Sequence, residues 1–292
     1  MIVNSITLMR PKQWIKNLLI VAPIIFSLQY NSHEAWINVL LALLCFILTS
    51  TSVYIINDLK DVKEDILHPH KSRRAIASGD VPPAFAMVFA AVALALALVI
   101  SYKFLPGQSM EMLVYYFILQ NAYTFILKNI AIIDVSTTAI GLVLRVMLGS
   151  FAVEVEASLW IILTTFMLGL FIGFGKRHYE MMIDEIKGKK PALKQYTKYM
   201  LESLISISCA LSVVTYLLYS LEKAAFLKLE SFPYTTLLVL VGMLRFLQLV
   251  FNNDKYEEPE TLVLKDPALV VISLTWFATT IYLLGMDYNQ IL

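Results

Sequence analysis

The stretch VLLALLCFILTSTSVYIINDLKDVKED, residues Val39–Asp65, decides the fold class. It opens with an apolar run about as long as the roughly 20 residues that a helix needs to cross a bilayer, and it ends in three aspartates. Strands of a membrane barrel alternate between apolar and polar residues, whereas this run is continuously apolar. The stretch therefore predicts a membrane-spanning helix that leaves the lipid carrying negative charge.

The composition of the whole chain agrees with a membrane protein. Hydrophobic residues make up 59% of the 292, charged residues make up 15%, and the mean hydropathy is +0.71. A soluble domain of this length is far less apolar. Cys45 and Cys209 lie inside apolar runs, which favours small core residues over a disulfide or a zinc site. The net charge of +1 says nothing about partners, because the charges are segregated along the chain. We expect no nucleic-acid partner.

Apolar runs of about the right length follow one another along the chain. Nine are found, at roughly residues 17–33, 36–56, 84–104, 111–127, 130–153, 158–175, 200–221, 233–251 and 268–286. No Pro-, Gly- or Ser-rich linker in the sequence separates them. We therefore expect an all-α membrane protein, a bundle of nine transmembrane helices that forms a single domain over residues 1–292. The sequence leaves the oligomeric state open, and a homo-oligomer is compatible with it.

The distribution of positive charge predicts the orientation of the bundle. Most of the 23 Lys and Arg residues lie at the N-terminus or in the loops after the second, fourth, sixth and eighth predicted spans. Positive loops stay on the cytoplasmic side of a membrane. We therefore expect a multi-pass protein of the cell membrane, with the N-terminus and both long polar loops in the cytoplasm and the C-terminus outside.

The three aspartates at the end of the second span share one face if the helix continues beyond the lipid. Asp58, Asp61 and Asp65 are spaced i, i+3 and i+7, which covers about 10 Å of helix axis. Like charges on one face repel one another, so a shared cation would stabilise them. Carboxylates without imidazole or thiolate neighbours suit Mg²⁺, which takes its further ligands from water and substrate phosphates. The alternative is an ordinary solvated helix end.

Basic residues follow the acidic face directly. HPHKSRRAIASGDV contains Lys71, Arg73 and Arg74, and the N-terminal RPKQWIKN adds Arg10 and Lys16. Acidic and basic groups side by side can bind a metal-bound phosphate, because the ion bridges some oxygens while guanidinium groups bind others. Positive residues in a cytoplasmic loop are also expected from topology alone, so both interpretations remain open.

The second long polar loop carries a similar mixture of charges. GFGKRHYEMMIDE contains Lys176, Arg177, Glu180 and Asp184. Glu180 and Asp184 are spaced i, i+4 and would share one helical face, as a second acidic pair. Such a pair also arises often by chance.

Three further polar side chains are candidates for lining a cavity. Tyr123 and Lys128 lie at the cytoplasmic end of the fourth span, where snorkelling towards the interface is the alternative explanation. Arg145, in GLVLRVMLG, lies deep in the fifth span, where a charge costs about 3 kcal/mol or more unless it faces a polar cavity or a partner. We therefore expect a cavity-facing role for Arg145, with a structural ion pair as the alternative.

The motifs together resemble the UbiA superfamily of intramembrane prenyltransferases. NDLKDVKED matches the family pattern N-D-x-x-D-x-x-x-D, RRAIASG follows closely, and the likeness extends over nearly the whole chain. MRPKQWIKNLLIVAP, HPHKSRRAIASGDV, YTFILKNIAIIDV and FGKRHYE are most similar to the decaprenyl-phosphate phosphoribosyltransferase branch. Arg74-Ala75 stands where the family usually has Arg-Pro, and the sixth-span loop lacks the second aspartate-rich motif of aromatic prenyltransferases. The latter departure favours the phosphoribosyl branch.

The resemblance implies a UbiA-like fold and a specific reaction. That branch transfers 5-phosphoribose from phosphoribosyl pyrophosphate (PRPP) to a polyprenyl phosphate, a membrane lipid, for the synthesis of lipid-linked arabinose. It implies Mg²⁺ on Asp58, Asp61 and Asp65, with Asn57 in support. The other candidate residues would then bind substrate; they are Lys16, Lys71, Arg73, Arg74, Tyr123, Lys128, Arg145, Lys176, Arg177, Glu180 and Asp184.

Two other functions remain open on the sequence. An aromatic prenyltransferase would use the same acidic motif to bind a prenyl diphosphate. A transporter would use Arg145 to bind or gate an anion, although its helices would more naturally be broken near the middle of the membrane.

Overall fold

The computed structural model describes residues 7–66, 71–183, 191–252, 262 and 265–291, and within these the regular elements are all helical. The α-helices are α1 (Ala22–Phe26), α2 (His33–Ile66), α3 (Pro83–Phe104), α4 (Ser109–Phe125), α5 (Ile133–Ala152), α6 (Leu159–Met182), α7 (Lys198–Leu227), α8 (Thr235–Phe251) and α9 (Pro267–Ile291). Short 3₁₀-helices occur at Pro11–Ile20, Gln29–Asn31, Lys71–Arg73, Leu127–Asn129, Ala192–Gln195 and Phe232–Tyr234.

Seven helices in the described part of the chain are long and apolar enough to cross a membrane: α2, α3, α5, α6, α7, the segment Phe232–Phe251 that contains α8, and the Pro267–Gly285 part of α9. The first predicted span, 17–33, instead overlaps a shorter apolar segment, Gln13–Phe26. The fourth, 111–127, overlaps α4, which has 17 residues. The protein is thus an integral membrane protein of helical type, as predicted, while the count of nine spans stays a prediction.

Helix α2 is much longer than the lipid requires. Its 34 residues extend about 50 Å at 1.5 Å per residue, compared with a hydrocarbon core of about 30 Å. The helix therefore continues past its apolar run as the same helix, and Asp58, Asp61 and Asp65 lie on that continuation.

The chain divides into two compact units, here called unit 1 (Met1–Ile126 with Leu144–Glu156) and unit 2 (Leu127–Val143 with Ala157–Leu292). In unit 1, α3 packs small side chains against α2, which lets two membrane helices approach closely. The buried residues of α3 are mostly alanines, namely Ala86, Ala90, Ala93 and Ala97, whereas Met87, Val88 and Val92 are exposed, as lipid-facing residues would be.

In unit 2, α6 packs along α7. Phe171, Leu201 and Ile205 are fully buried in the core that these helices share. The N-terminal half of α5 also packs on α6. A Cβ built at Gly169 of α6 would lie 2.9 Å from the Cα of Ala139, so that crossing requires a glycine. The single-domain organisation expected from the sequence stays a prediction.

Candidate functional site

The acidic end of α2 is the first cluster of charged residues in unit 1. The Nη1 atom of Arg74 donates to Oδ1 of Asp58 at 3.0 Å and to Oδ2 of Asp65 at 2.6 Å. Both carboxylates are largely buried, with residue exposures of 8% and 1%, whereas the Arg74 side chain is 25% exposed. Two carboxylates seven residues apart thus converge on one nitrogen, as the helical spacing requires.

A compact turn after α2 brings Arg74 back over the helix end. The amide of Ser78 donates to the carbonyl of Arg74 at 2.8 Å, and that of Val81 donates to the carbonyl of Ala75 at 2.9 Å. Gly79 has a φ of 82° in this turn, a conformation that favours glycine. The apolar side chains of the turn are buried against Ile55 of α2. The motif that follows the aspartates therefore folds locally onto them.

A second guanidinium group reaches the same carboxylate from the N-terminus. Nη2 of Arg10 donates to Oδ1 of Asp58, and the Arg10 guanidinium carbon lies 5.2 Å from the centre of the Tyr54 ring. Arg10 is 48 residues from Asp58 in sequence. Asp58 is therefore bound by two positive groups from different segments.

Asn57 and its neighbours form the polar edge of this cluster. Thr124, at the end of α4, is 2% exposed and donates its hydroxyl to Oδ1 of Asn57 at 3.3 Å. Tyr123 and Asp61 are half-buried, as is Lys16, while Arg73 is exposed. The side chain of Lys71 lies outside the described part of the structure.

The chemistry of the donors fits Mg²⁺. Asp58 and Asp65 approach one positively charged nitrogen together, and Mg²⁺ commonly uses one or two carboxylates with further oxygens from water and phosphate. Among the described residues, no group of three or more His, Cys, Asp or Glu side chains is arranged to hold a metal ion. The participation of Asp61 as a third ligand therefore stays a prediction.

Unit 2 contains a second charged cluster, and this one is buried. Nε of Arg177 donates to Oδ2 of Asp134 at 2.6 Å, and its Nη1 donates to Oε2 of Glu180 at 2.5 Å. The exposure of the three side chains is 10% for Arg177, 0% for Asp134 and 5% for Glu180. Of the other residues predicted in this loop, Lys176 is half-buried and Asp184 lies outside the described residues.

Tyr196 completes the buried cluster. Its hydroxyl donates to Oδ1 of Asp134 at 2.8 Å and accepts from the amide of Ile132 at 2.5 Å. Burial raises the pKa of the Tyr196 hydroxyl, and the Asp134 carboxylate also raises it, so this group remains a proton donor at neutral pH. Gln195 donates to the carbonyl of Asn129 at 2.9 Å. Tyr196 and Gln195 together hold the loop that carries half-buried Lys128.

Sequence reasoning missed Asp134. It is a lone acid at the start of an apolar span, without a repeating motif, and so no spacing rule selects it. An ionisable residue within a span is a reason to look for a partner, but the sequence does not say that the partner is Arg177, 43 residues away.

Arg145 lies buried in unit 1, with 4% of the residue exposed. Its Nε donates to Oδ1 of Asn17 at 2.9 Å, and its guanidinium carbon lies 4.5 Å from the Phe46 ring centre and 5.2 Å from that of Tyr116. Its polar and aromatic neighbours compensate part of the cost of burying the charge. A direct role for Arg145 in substrate binding stays a prediction.

These features define a helical membrane protein with carboxylate and guanidinium groups gathered at the end of a span, an arrangement suited to metal-bound phosphates. The chain belongs to the UbiA prenyltransferase family, whose family model matches residues 18–265. The family resemblance that the motifs indicated is therefore confirmed.

Relatives of known name match almost the full chain. The decaprenyl-phosphate phosphoribosyltransferase of Mycolicibacterium smegmatis is 31% identical, with 92% of this chain and 89% of the relative covered. The protein of the same name from Corynebacterium glutamicum is 29% identical, with 94% and 84% covered.

Solved structures share the fold. A UbiA homologue from Archaeoglobus fulgidus bound to DMAPP and Mg²⁺ superposes with a TM-score of 0.72 over 97% of this chain and 99% of that one. The sequence identity is 17%, so this likeness concerns the fold alone. The UbiA-like helical architecture expected from the sequence is confirmed.

Proposed function

We propose that the protein transfers 5-phosphoribose from PRPP to a long-chain polyprenyl phosphate, releasing pyrophosphate and forming a polyprenyl-phosphoryl-5-phosphoribose. The observation that carries this proposal is the near-full-length similarity to relatives named decaprenyl-phosphate phosphoribosyltransferase, at about 30% identity. The enzyme is thus a pentosyltransferase that acts on a lipid phosphate. Its product would serve as a precursor of lipid-linked arabinose.

The acidic end of α2 is the proposed place of the pyrophosphate. Asp58 and Asp65 would hold Mg²⁺, with Asp61 as a further ligand and Asn57 in support. The ion, when bound, neutralises the leaving group. Arg74 and Arg10 already lie beside these carboxylates, and their remaining N–H groups can donate to phosphate oxygens.

The remaining basic residues near the ends of the spans would contact the other phosphate groups or the ribose. We assign this role to Lys16, Lys71, Arg73, Lys128 and Lys176. Tyr123 and Asp184 are retained as candidates for the same set. Each of these assignments follows from the charge of the residue and its place in the family motifs. Arg145, Arg177 and Glu180, which the sequence also predicted to bind substrate, are buried in contacts with other side chains, and a structural role is assigned to them below.

The chemistry requires positioning more than acid–base catalysis. The bond between the anomeric carbon and the pyrophosphate oxygen breaks, and positive charge develops on the ribose. An oxygen of the lipid phosphate forms the new bond from the opposite face, inverting that carbon. The nucleophile is already anionic, so no strong base is needed. Electrostatic stabilisation of the departing pyrophosphate is therefore the main task of the charged side chains.

The proposed topology fits substrates from two phases. Nine spans with a cytoplasmic N-terminus place the acidic end of α2 at the cytoplasmic surface. PRPP is soluble, whereas the acceptor has a lipid tail that must remain between helices or in the bilayer. A site at the end of a span lets both substrates meet.

A transfer assay with purified protein tests the proposal. Protein in detergent with Mg²⁺, PRPP labelled in the ribose and a polyprenyl phosphate should move label into the organic phase. Asp61→Asn should abolish this transfer, whereas the matched control Asp266→Asn, at an ion pair with Arg245 in unit 2, should not.

Two outcomes would contradict the proposal. Folded protein that uses no PRPP with any acceptor length, but releases pyrophosphate from a prenyl diphosphate, would be an aromatic-type prenyltransferase. Protein that transfers nothing but carries anions into liposomes would be a transporter.

A further inference from the structure

Residues 10–20, called here the N-terminal segment, contain the Pro11–Ile20 3₁₀-helix. One of its anchors is Asn17, which is 1% exposed and accepts the hydrogen bond from Arg145. The Arg145 guanidinium lies against the rings of Phe46 and Tyr116. A charged donor in a dry, apolar surrounding binds its acceptor strongly, because water does not compete for it.

A second anchor lies one turn further along α5. A Cβ built at Gly149 would lie 2.2 Å from the carbonyl oxygen of Ile20, so only a glycine lets the end of the segment pack there. Ile20 is fully buried. Asn17 and Ile20 are three residues apart, and both are held by the same helix.

The opposite end of the segment carries Arg10. Arg10 has a φ of 49°, a rare conformation for a residue with a side chain, and Pro11 follows it directly. The Nε1 atom of Trp14 donates to the carbonyl of Met9 at 3.0 Å. Leu8 is buried in the same cluster as Ile55 of α2. The backbone conformation at Arg10 is therefore held by contacts of the residues before and after it. The Arg10 side chain extends from there to Asp58.

We propose that Arg145 is a positioning residue, which acts through Asn17 and the N-terminal segment to hold Arg10 at Asp58. Asn17 lies seven positions after Arg10 along the 3₁₀-helix, which corresponds to about 14 Å. Arg145 thus affects the site without contacting the substrate. The catalytic consequence rests on the proposed function, whereas the anchoring of the segment does not.

The anchoring is tested by hydrogen exchange of the backbone amides of residues 12–20 in detergent. Asn17→Leu keeps the size of the side chain and removes the acceptor. It should speed exchange of the segment by about tenfold or more, the effect of losing one hydrogen bond to a charged group. Asn17→Asp retains the acceptor and gives it a charge opposite to that of Arg145, so exchange of the segment should be no faster than in the parent.

A steric variant tests the same anchoring without changing any charge. Gly149→Ala should displace the segment and speed its exchange in the same way. The control is Gly169→Ala, which makes the same substitution where the added Cβ would lie 2.9 Å from the Cα of Ala139 in unit 2, and it should leave exchange of residues 12–20 unchanged. Equal exchange in Asn17→Leu, Gly149→Ala and the parent would overturn the proposal.

Kinetics then separate positioning from direct substrate contact. Asn17→Leu and Arg145→Lys should raise the KM for PRPP more than they lower kcat. When either is combined with Arg10→Ala, kcat/KM should be no lower than in Arg10→Ala alone. Full additivity with Arg10→Ala would mean that Arg145 contacts substrate itself, which contradicts the proposal. If the parent has no transferase activity, the proposed function fails, and the exchange measurements still decide the anchoring.

Discussion

The two charged clusters contain the same kinds of side chain but differ in their access to solvent. At the end of α2 in unit 1, the side chains of Arg10 and Arg74 are 22% and 25% exposed. In unit 2, the side chain of Arg177 is 10% exposed, and its partner Asp134 is fully buried. A partly exposed guanidinium can exchange one anionic partner for another at low cost, whereas a buried one cannot. We therefore expect the first cluster to serve the reaction and the second to serve stability.

The largest effect on stability should come from breaking the buried cluster around Arg177 in unit 2. Asp134→Ala leaves Arg177 without one of its two carboxylates and removes the acceptor of the Tyr196 hydroxyl. Loss of one partner from a buried pair costs about 3–5 kcal/mol. Thermal unfolding in detergent should show a large fall in midpoint. An unchanged midpoint with lost activity would mean that this cluster also belongs to the reaction.

The next effect concerns the cluster at the end of α2 and should appear mainly in activity. Asp58→Asn keeps the shape of the side chain but removes the charge that Mg²⁺ requires. We expect kcat/KM to fall by about 100-fold or more, as for the loss of one electrostatic contact in an active site. The unfolding midpoint should fall less than that of Asp134→Ala, because Arg10 and Arg74 are partly exposed to solvent. A fall in midpoint as large as that of Asp134→Ala would remove the distinction between the clusters.

Tyr196→Phe should have an intermediate effect on stability. The hydroxyl donates to Asp134 and accepts from the amide of Ile132, so its removal leaves both groups short of a partner. Each unsatisfied buried group costs about 1–3 kcal/mol. The unfolding midpoint of Tyr196→Phe should therefore lie between those of Asp134→Ala and the parent. A midpoint equal to the parent's would mean that water reaches this cluster.

The smallest effect on stability concerns the Arg245–Asp266 pair, in which the Arg245 side chain is 35% exposed. The hydrogen bond from Arg245 lowers the pKa of Asp266 below its ordinary value. A carboxyl with a lowered folded pKa stabilises the protein above its unfolded pKa of about 3.9. That contribution is lost as the pH falls through the folded value. Asp266→Asn should therefore match the parent in acid and be slightly less stable at neutral pH, as measured by unfolding at both pH values.

Local patterns explain why much of the helical architecture could be predicted. Apolar runs and the i, i+3, i+7 spacing of acids depend on neighbours along one helix, and α2 continues to Ile66 as that spacing requires. The first predicted span is less regular in the structure, because the 3₁₀-helix ends at Ile20 and Pro23, in the first turn of short α1, has no N–H with which to continue its hydrogen bonding. A count of apolar residues does not register such breaks.

The sequence by itself determined the helical membrane architecture, the family and the acidic face of α2. Only the tertiary structure decided which charges meet. Arg10 reaches Asp58 across 48 residues, and Arg145 reaches Asn17 across 128. The physical reason is that periodicity within a helix specifies which face a residue occupies, whereas the partner on that face depends on how distant segments pack. Buried charges make those pairings costly to change, because an unpaired ion in an apolar interior has no solvent to replace its partner.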